Sequence, residues 1–305
     1  MDYTGYTIAC PDGAGLVVCR EVFPGVELSV NDFHAYRCPE CYESETLLQM
    51  DFCCAGRFEC AFSKQEHCIL VPGDLAVYRC VNRMDTEAAF PTGYYQGVNL
   101  TIDCERAADY AARNFGVLAT DFQRLQDHVM EECWFCVRRT EEQCAAIFQE
   151  LSRSAEHMPS QMLCIKLLEL FCLLESVSLK NVPSPYFPKA QIELVKQIHD
   201  RLTNCPDCYI SEKQLAYEHQ ISVSQLQRVF KQLYGVPIYQ YVRECRLERA
   251  AKALRETDRP VTEIALDAGF ANPGKFSEGF RKRYGLTPTW FRAVKKWDNQ
   301  MEQPC

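Results

Sequence analysis

No window of about 18 uncharged apolar residues occurs, the length a membrane-crossing helix needs. The longest apolar run, Met162 to Val177, is broken by Lys166, Glu169 and Glu175. The start, Met1-Asp2-Tyr3-Thr4, has neither a basic n-region nor an apolar h-region, so no secretory leader is expected. Histidine is scarce, with six residues scattered over 305. The P-loop, the G-x-S-x-G elbow and the dinucleotide-binding fingerprint are all missing. These absences point away from an enzyme and toward a cytoplasmic protein without a membrane partner. Hydrophobic residues at 47% and charged residues at 24% exclude a disordered or fibrous chain. The length allows one large domain or two ordinary ones.

Cysteine, by contrast, is abundant at nineteen residues. Without a leader, these are read as mostly free thiols in a reducing compartment. Three Cys-x-x-Cys pairs occur, Cys38/Cys41, Cys133/Cys136 and Cys205/Cys208. One such pair is half a tetrahedral zinc site. Cys38 and Cys41 would need Cys53, Cys54, Cys60, His67 or Cys68 to complete one, and His34 and His67 are further candidate ligands. Small buried hydrophobes and satisfied histidines are the plainer reading, so no metal or other cofactor is assigned. Cys133-Trp134-Phe135-Cys136 has redox-motif spacing, but its surroundings read as helical and lack a βαβ pattern.

The net charge of −8 is unevenly spread. Residues 181–305 carry 19 basic and 14 acidic side chains, whereas residues 1–180 carry 14 and 27. An acidic body followed by a mildly basic module suggests a partner-binding C-terminus. The boundary is marked by Asn181-Val182-Pro183-Ser184-Pro185-Tyr186-Phe187-Pro188. Three prolines in eight residues exclude a helix interior and remove ladder donors, so 181–188 is read as a semi-rigid linker.

Before the linker there are two textures. Short β-prone runs (Gly15–Cys19, Val26–Val30, Leu47–Phe52, Phe58–Phe62) are punctuated by Asp12-Gly13, Pro24-Gly25, Ala55-Gly56, Pro72-Gly73 and Thr92-Gly93. They predict a sandwich or small barrel over 1–103. Residues 104–180 read as helical, with a capping-box pattern at Thr140-Glu141-Glu142-Gln143 and helical spacing of Ile147, Leu151 and Ala155. A helix near Ser160–Val177 is apolar on more than one face. It is read as buried under the β domain, as a seam between two copies, or as both.

After the linker the sequence repeats itself. Phe230-Lys231-Gln232-Leu233-Tyr234-Gly235-Val236 recurs 50 residues later as Phe280-Arg281-Lys282-Arg283-Tyr284-Gly285-Leu286. Leu215-Ala216 is echoed by Ile264-Ala265, and Leu226 by Phe276. Ser211–Gln214 and Ser222–Gln225 are capping boxes, and Asn272-Pro273 is an N-cap followed by a first-turn proline. Each copy therefore reads as two short helices about a tight turn, a helix-turn-helix. The stretch from Ile238 to Arg255 reads as one helix linking them.

The repeat, with Ala265–Phe270, Phe276, Phe280–Leu286 and the tail Thr287-Pro288-Thr289-Trp290-Phe291-Arg292, resembles the AraC/XylS family of transcription regulators over about residues 190–296. Cys53–Cys60 and Val71–Leu75 are similar to its cupin-like effector domain, in particular that of the siderophore-responsive PchR group. The resemblance implies an α+β chain. A cupin-like β-barrel would be followed by dimerisation helices (104–180), the linker, and an all-α double helix-turn-helix domain (189–298). It implies a homodimer that regulates transcription, more in the manner of an activator, with double-stranded DNA, RNA polymerase and a small, siderophore-like effector as partners. A metal- or thiol-responsive regulator, or a cupin-type metalloenzyme fused to a DNA-binding module, are the competing readings. The methyl-acceptor Pro-Cys-His-Arg of Ada-type repair proteins is absent. Three positions depart from the family pattern: Gln220 where a turn glycine is common, Gly279 inside the second recognition helix, and Trp290 in place of tyrosine.

A recognition helix offers its N-terminal polar residues to base edges. In the first motif Gln227 and Arg228, with Ser224 and Gln225 next, are the base readers, since Gln matches adenine and Arg matches guanine. In the second, Pro273, Gly274, Lys275 and Glu278 lie toward the groove by family position. Lys231, Arg281, Lys282 and Arg283 suit phosphate neutralisation.

Overall fold

Apolar side chains at every second position make strands of the first hundred residues. The computed structural model describes residues 4–38, 47–61, 66–79, 88–116, 120–130, 135–176, 180–181, 186–204 and 211–301. The first ten strands are β1 (Thr4–Cys10), β2 (Gly13–Phe23), β3 (Val26–His34), β4 (Arg37–Cys38), β5 (Leu48–Gly56), β6 (Phe58–Ala61), β7 (Glu66–Leu70), β8 (Asp74–Arg79), β9 (Ala88–Ala89) and β10 (Tyr95–Ile102). There follow α1 (Cys104–Asn114), α2 (Phe122–Met130), β11 (Phe135–Arg139), α3 (Glu142–Ser154), α4 (Ser160–Ser176), β12 (Lys180–Asn181) and β13 (Tyr186–Pro188). The remainder is helical: α5 (Lys189–Asn204), α6 (Glu212–Glu218), α7 (Val223–Tyr234), α8 (Ile238–Glu256), α9 (Val261–Asp267), α10 (Pro273–Tyr284) and α11 (Pro288–Met301). Two compact units result, residues 1–190 and 191–305.

The first unit holds two antiparallel sheets, ordered β1-β2-β3-β10-β5-β8-β11-β12 and β13-β7-β6-β9-β4. Alternation along β5 shows how they are used. Leu48, Met50, Phe52 and Cys54 join the core shared with α1–α4, while Cys53 joins the core between the sheets. The adjacent cysteines Cys53 and Cys54 therefore point to opposite faces, as neighbours in a strand must. Phe52 stacks on Phe148 of α3 at 4.5 Å. On the Cys53 face lies a polar row. Asn99 Nδ2 donates to Asp51 Oδ1 (2.7 Å) and Gln49 Oε1 (3.1 Å), and the Tyr78 hydroxyl donates to Asp51 Oδ2 (2.6 Å). Burial raises the Asp51 carboxyl above its ordinary range, against these hydrogen bonds.

Several expectations are revised. Phe135–Arg139 is a strand inside the segment expected to be helical. Phe135 and Val137 enter the core between the sheets and Cys136 the core under the helices. Two-sided burial between β8 and β12 overrides the helical neighbourhood. The box at 140–143 does not form: Glu141 is the N-cap without a side-chain bond, and the Thr140 hydroxyl donates to the Gly73 carbonyl at 3.2 Å. At the C-terminal end of the expected linker, Tyr186–Pro188 pairs antiparallel with β7. Proline is tolerated there because β13 is an edge strand. Residues 182–185 lie outside the described residues. In α4, Leu163, Leu167, Leu170, Phe171 and Leu174 are buried, while Met162 and Ile165 are 48% and 58% exposed.

Phe52→Ala removes a fully buried ring and one half of the stack with Phe148. The expected loss is about 3–5 kcal/mol of stability for the first unit, read as a lower urea midpoint for its unfolding transition. The half-exposed Leu16→Ala serves as a near-neutral control.

Candidate nucleic-acid interface

The second unit is built from the repeat upward. In the first copy Leu215 and Ala216 of α6 and Leu226, Val229, Phe230 and Leu233 of α7 are buried. His199 of α5 stacks on Tyr234 at 4.1 Å, and its Nε2 lies 2.7 Å from the Tyr241 hydroxyl of α8. In the second copy Ile264, Ala265, Ala268, Phe276 and Phe280 share a core with Leu247, Ala250, Ala251 and Leu254 of α8. Phe291 closes it edge-on to Phe280 at 5.2 Å.

Both turns close in the same way. In the first, Gln220 N–H donates to Tyr217 O (3.2 Å) and Ile221 N–H to Ala216 O (3.0 Å). In the second, Gly269 N–H donates to Leu266 O (2.8 Å) and Phe270 N–H to Ala265 O (2.9 Å). The five-residue bond in each is the Schellman closure, which requires a left-handed residue. Gly269 has φ +81° and Gln220 has φ +55°. The non-glycine residue thus keeps the tight turn instead of loosening it, at a backbone cost of about 1–2 kcal/mol.

The recognition helices start as expected. Ser222 Oγ accepts from Gln225 N–H (3.2 Å), and Gln225 Oε1 accepts from Ser222 N–H (3.1 Å), a complete capping box. The box expected at Ser211–Gln214, which opens α6, is only half made: Ser211 Oγ accepts from Gln214 N–H, while the Gln214 side chain donates onward to Glu218. Asn272 Oδ1 caps Gly274 and Lys275 N–H, with Pro273 in the first turn.

The predicted site residues are all exposed: Ser224, Gln225, Gln227, Arg228 and Lys231 on α7, and Pro273, Gly274, Lys275, Glu278, Arg281 and Lys282 on α10. Their commitments differ. Gln225 is held by the cap, and Gln227 Nε2 donates to Glu212 Oε2 at 2.5 Å. Lys275 pairs with Glu278 at 3.6 Å, both largely solvated, so a phosphate can take the lysine at little expense. Arg283 is committed to α8. Its guanidinium bridges Glu244 (2.8 Å) and Glu248 (3.4 Å) of α8, which ties α10 to the linking helix. Pattern reading missed Arg243. A Cβ on Gly279 would come within 2.6 Å of its guanidinium, so the glycine leaves room for an arginine laid across α10. Arg246 similarly reaches the Gly269 carbonyl at 3.2 Å. No local motif signals either residue, because the partners lie more than twenty residues away.

Among the described residues no group of three or more His, Cys, Asp or Glu side chains could hold an ion. His67 Nδ1 lies 2.8 Å from Glu59 Oε1, and His34 sits exposed beside Asp32. Cys41, Cys133, Cys205 and Cys208 lie outside the described residues. No described helix is long and apolar enough to cross a membrane.

Residues 215–293 match the family model described as a helix-turn-helix domain. The transcriptional activator RhaR of Mannheimia succiniciproducens is 41% identical over 81 residues, 26% of this chain and 29% of RhaR. The transcriptional regulator Rob of Salmonella typhimurium is 40% identical over 72 residues, 24% of this chain and 25% of Rob. The chain therefore spans less than a third of the length of these curated relatives. Among solved structures, a transcriptional regulator from Chromobacterium violaceum with an AraC-type DNA-binding domain is 27% identical. It covers 38% of this chain and 96% of that one, with a TM-score of 0.31. Residues 215–293 of the second unit are thus similar to the helix-turn-helix domain of these transcription regulators.

Gln220→Gly is expected to raise the stability of the second unit by about 1 kcal/mol by relieving the left-handed strain. Gln220→Val is expected to lower it. Thermal unfolding followed by circular dichroism checks both signs.

Proposed function

We propose that the chain is a sequence-specific DNA-binding transcription regulator, acting as an activator in the cytoplasm. The observation that carries this reading is the duplication itself. Two capped helices, α7 and α10, follow identically closed turns, pack against one helix and expose their N-terminal polar residues. Ser224, Gln227 and Arg228 read bases in one major-groove segment, with Gln225 mainly ordering the helix start. Pro273, Gly274, Lys275 and Glu278 face the next segment, about 34 Å further along. Lys231, Arg281 and Lys282 neutralise phosphates. The relative named an activator supports the sign of regulation and RNA polymerase as a partner.

The first unit is assigned the sensing role over residues 1–103, with 104–180 as the dimerisation region. The exposed Met162 and Ile165 of α4 support a second copy as its partner. A small effector of siderophore-like chemistry is the ligand class that the similarity at 53–60 and 71–75 supports. Effector binding changes DNA occupancy only by favouring one arrangement of the chain over another.

Selection from random duplex DNA with the full-length protein is expected to enrich two boxes one helical turn apart. A single box, or no enrichment, overturns the two-helix reading. Within an enriched site, Arg228→Ala is expected to relax preference at one base position, costing about 1–3 kcal/mol there. Uniform weakening across sequences would instead mark it as a backbone contact. Lys282→Ala is expected to weaken all sequences alike and flatten the salt slope by about one unit, measured by titration at several ionic strengths.

A further inference from the structure

The nineteen cysteines are not all equivalent. Along the smaller sheet, Cys60 of β6 stands directly opposite Cys68 of β7, and Cys68 stands directly opposite Tyr186 of β13. The three residues form one row across three strands, and all three contribute to the core between the sheets. Directly opposed residues have Cβ atoms about 4.5–5.5 Å apart. A disulfide needs Cβ atoms about 3.5–4.5 Å apart, so closure asks for a movement on the order of 1 Å. Both cysteines are free thiols. Cys60 is half-buried, whereas Cys68 is fully enclosed. The hydrogen bond to Cys60, followed by burial, pushes the Cys68 thiol well above the ordinary range. Cys60 is therefore the thiol that an oxidant meets first, with Cys68 in position to resolve it.

We propose that Cys60 and Cys68 form a reversible disulfide on exposure to a hydroperoxide, and that its formation loosens the docking of β13 on β7. In the first step the Cys60 sulfur attacks the O–O bond. Cys60 becomes a sulfenic acid, and hydrogen peroxide loses one oxygen and leaves as water. In the second, the Cys68 sulfur displaces the sulfenic hydroxyl. The S–S bond forms, and the hydroxyl leaves with the thiol proton as a second water. Two thiols are oxidised and one peroxide is reduced. A dithiol reductant reverses the reaction.

The coupling to β13 follows from the row. Bond formation draws the Cys68 sulfur toward Cys60 and away from Tyr186, which packs beside it. β13 is the edge strand, only three residues long, and Pro188 brings no ladder donor. The buried Phe187 keeps the strand seated, and Tyr186 also lies edge-on to Phe135 at 6.2 Å, so the loosening is centred on Tyr186. Helix α5 begins at the next position, so the segment that responds to the thiols is the one leading into the DNA-binding unit.

The test uses the reduced full-length protein in the absence of DNA, so its result is independent of the regulator reading. Hydrogen peroxide treatment, thiol blocking and peptide mapping are expected to show a Cys60–Cys68 cross-link that dithiothreitol removes. Hydrogen exchange over residues 186–190 is expected to become several-fold faster in the oxidised protein. Cys60→Ser, at a half-buried position that tolerates the change, is expected to abolish both effects. Three results would each overturn the proposal: both thiols remaining alkylatable after peroxide, Cys60 linking to another cysteine, or exchange at 186–190 that is the same in both redox states.

Discussion

The second unit depends on a shortage of apolar surface. A helix-turn-helix of two short helices cannot enclose a core by itself, and this chain has two of them. The shared helix α8 meets the need. Tyr241 receives His199 of α5 and Phe230 of the first motif, while Leu247, Ala250, Ala251 and Leu254 complete the second. Its apolar residues therefore lie on different sides in its two halves, and it has no single hydrophobic stripe. Glu244 and Glu248 add ion pairs to Arg283 of α10. The helices that would touch DNA are thus fixed to one rod, which is what gives their spacing meaning.

Around that rod the two motifs solve the same local problem with different residues. Each needs a left-handed position between its helices, supplied once by Gly269 and once by Gln220. Each needs a cap at the recognition helix, supplied once by a Ser–Gln box and once by Asn-Pro. The same geometry from different chemistry indicates that the turn and the cap are the constraint, and that their particular residues are free to vary. Beyond the cap, Gln225 and Gln227 keep bonds to Ser222 and Glu212.

The first unit has a different economy. Its larger sheet carries one apolar face under α1–α4 and a mixed face toward the smaller sheet. Asp51, Asn99, Gln49 and Tyr78 satisfy one another on that mixed face, as buried polar groups must. The thiols there are held as small core residues. Cys60 and Cys68, which face each other across a ladder, are the pair for which a disulfide is proposed.

Local signals carried much of the protein. The doubled Phe…Tyr-Gly pattern, the caps at Ser222 and Asn272, the strand-like alternation of the first hundred residues and the exposure of the base-reading candidates were all legible, because each rests on contacts within a few residues. Tertiary structure decided the rest. The strand at Phe135–Arg139 forms because a place between β8 and β12 buries both of its faces, against helical surroundings. Thr140 gives up a capping role for a carbonyl 67 residues away in sequence. Tyr186–Pro188 becomes an edge strand, although the three prolines of 181–188 read as linker. Arg283 is withdrawn from the phosphate set by two glutamates of α8, and Arg243 is laid over Gly279. In every one of these cases the deciding partner is remote in sequence, and a side chain's role is set by whichever partner folding brings within reach.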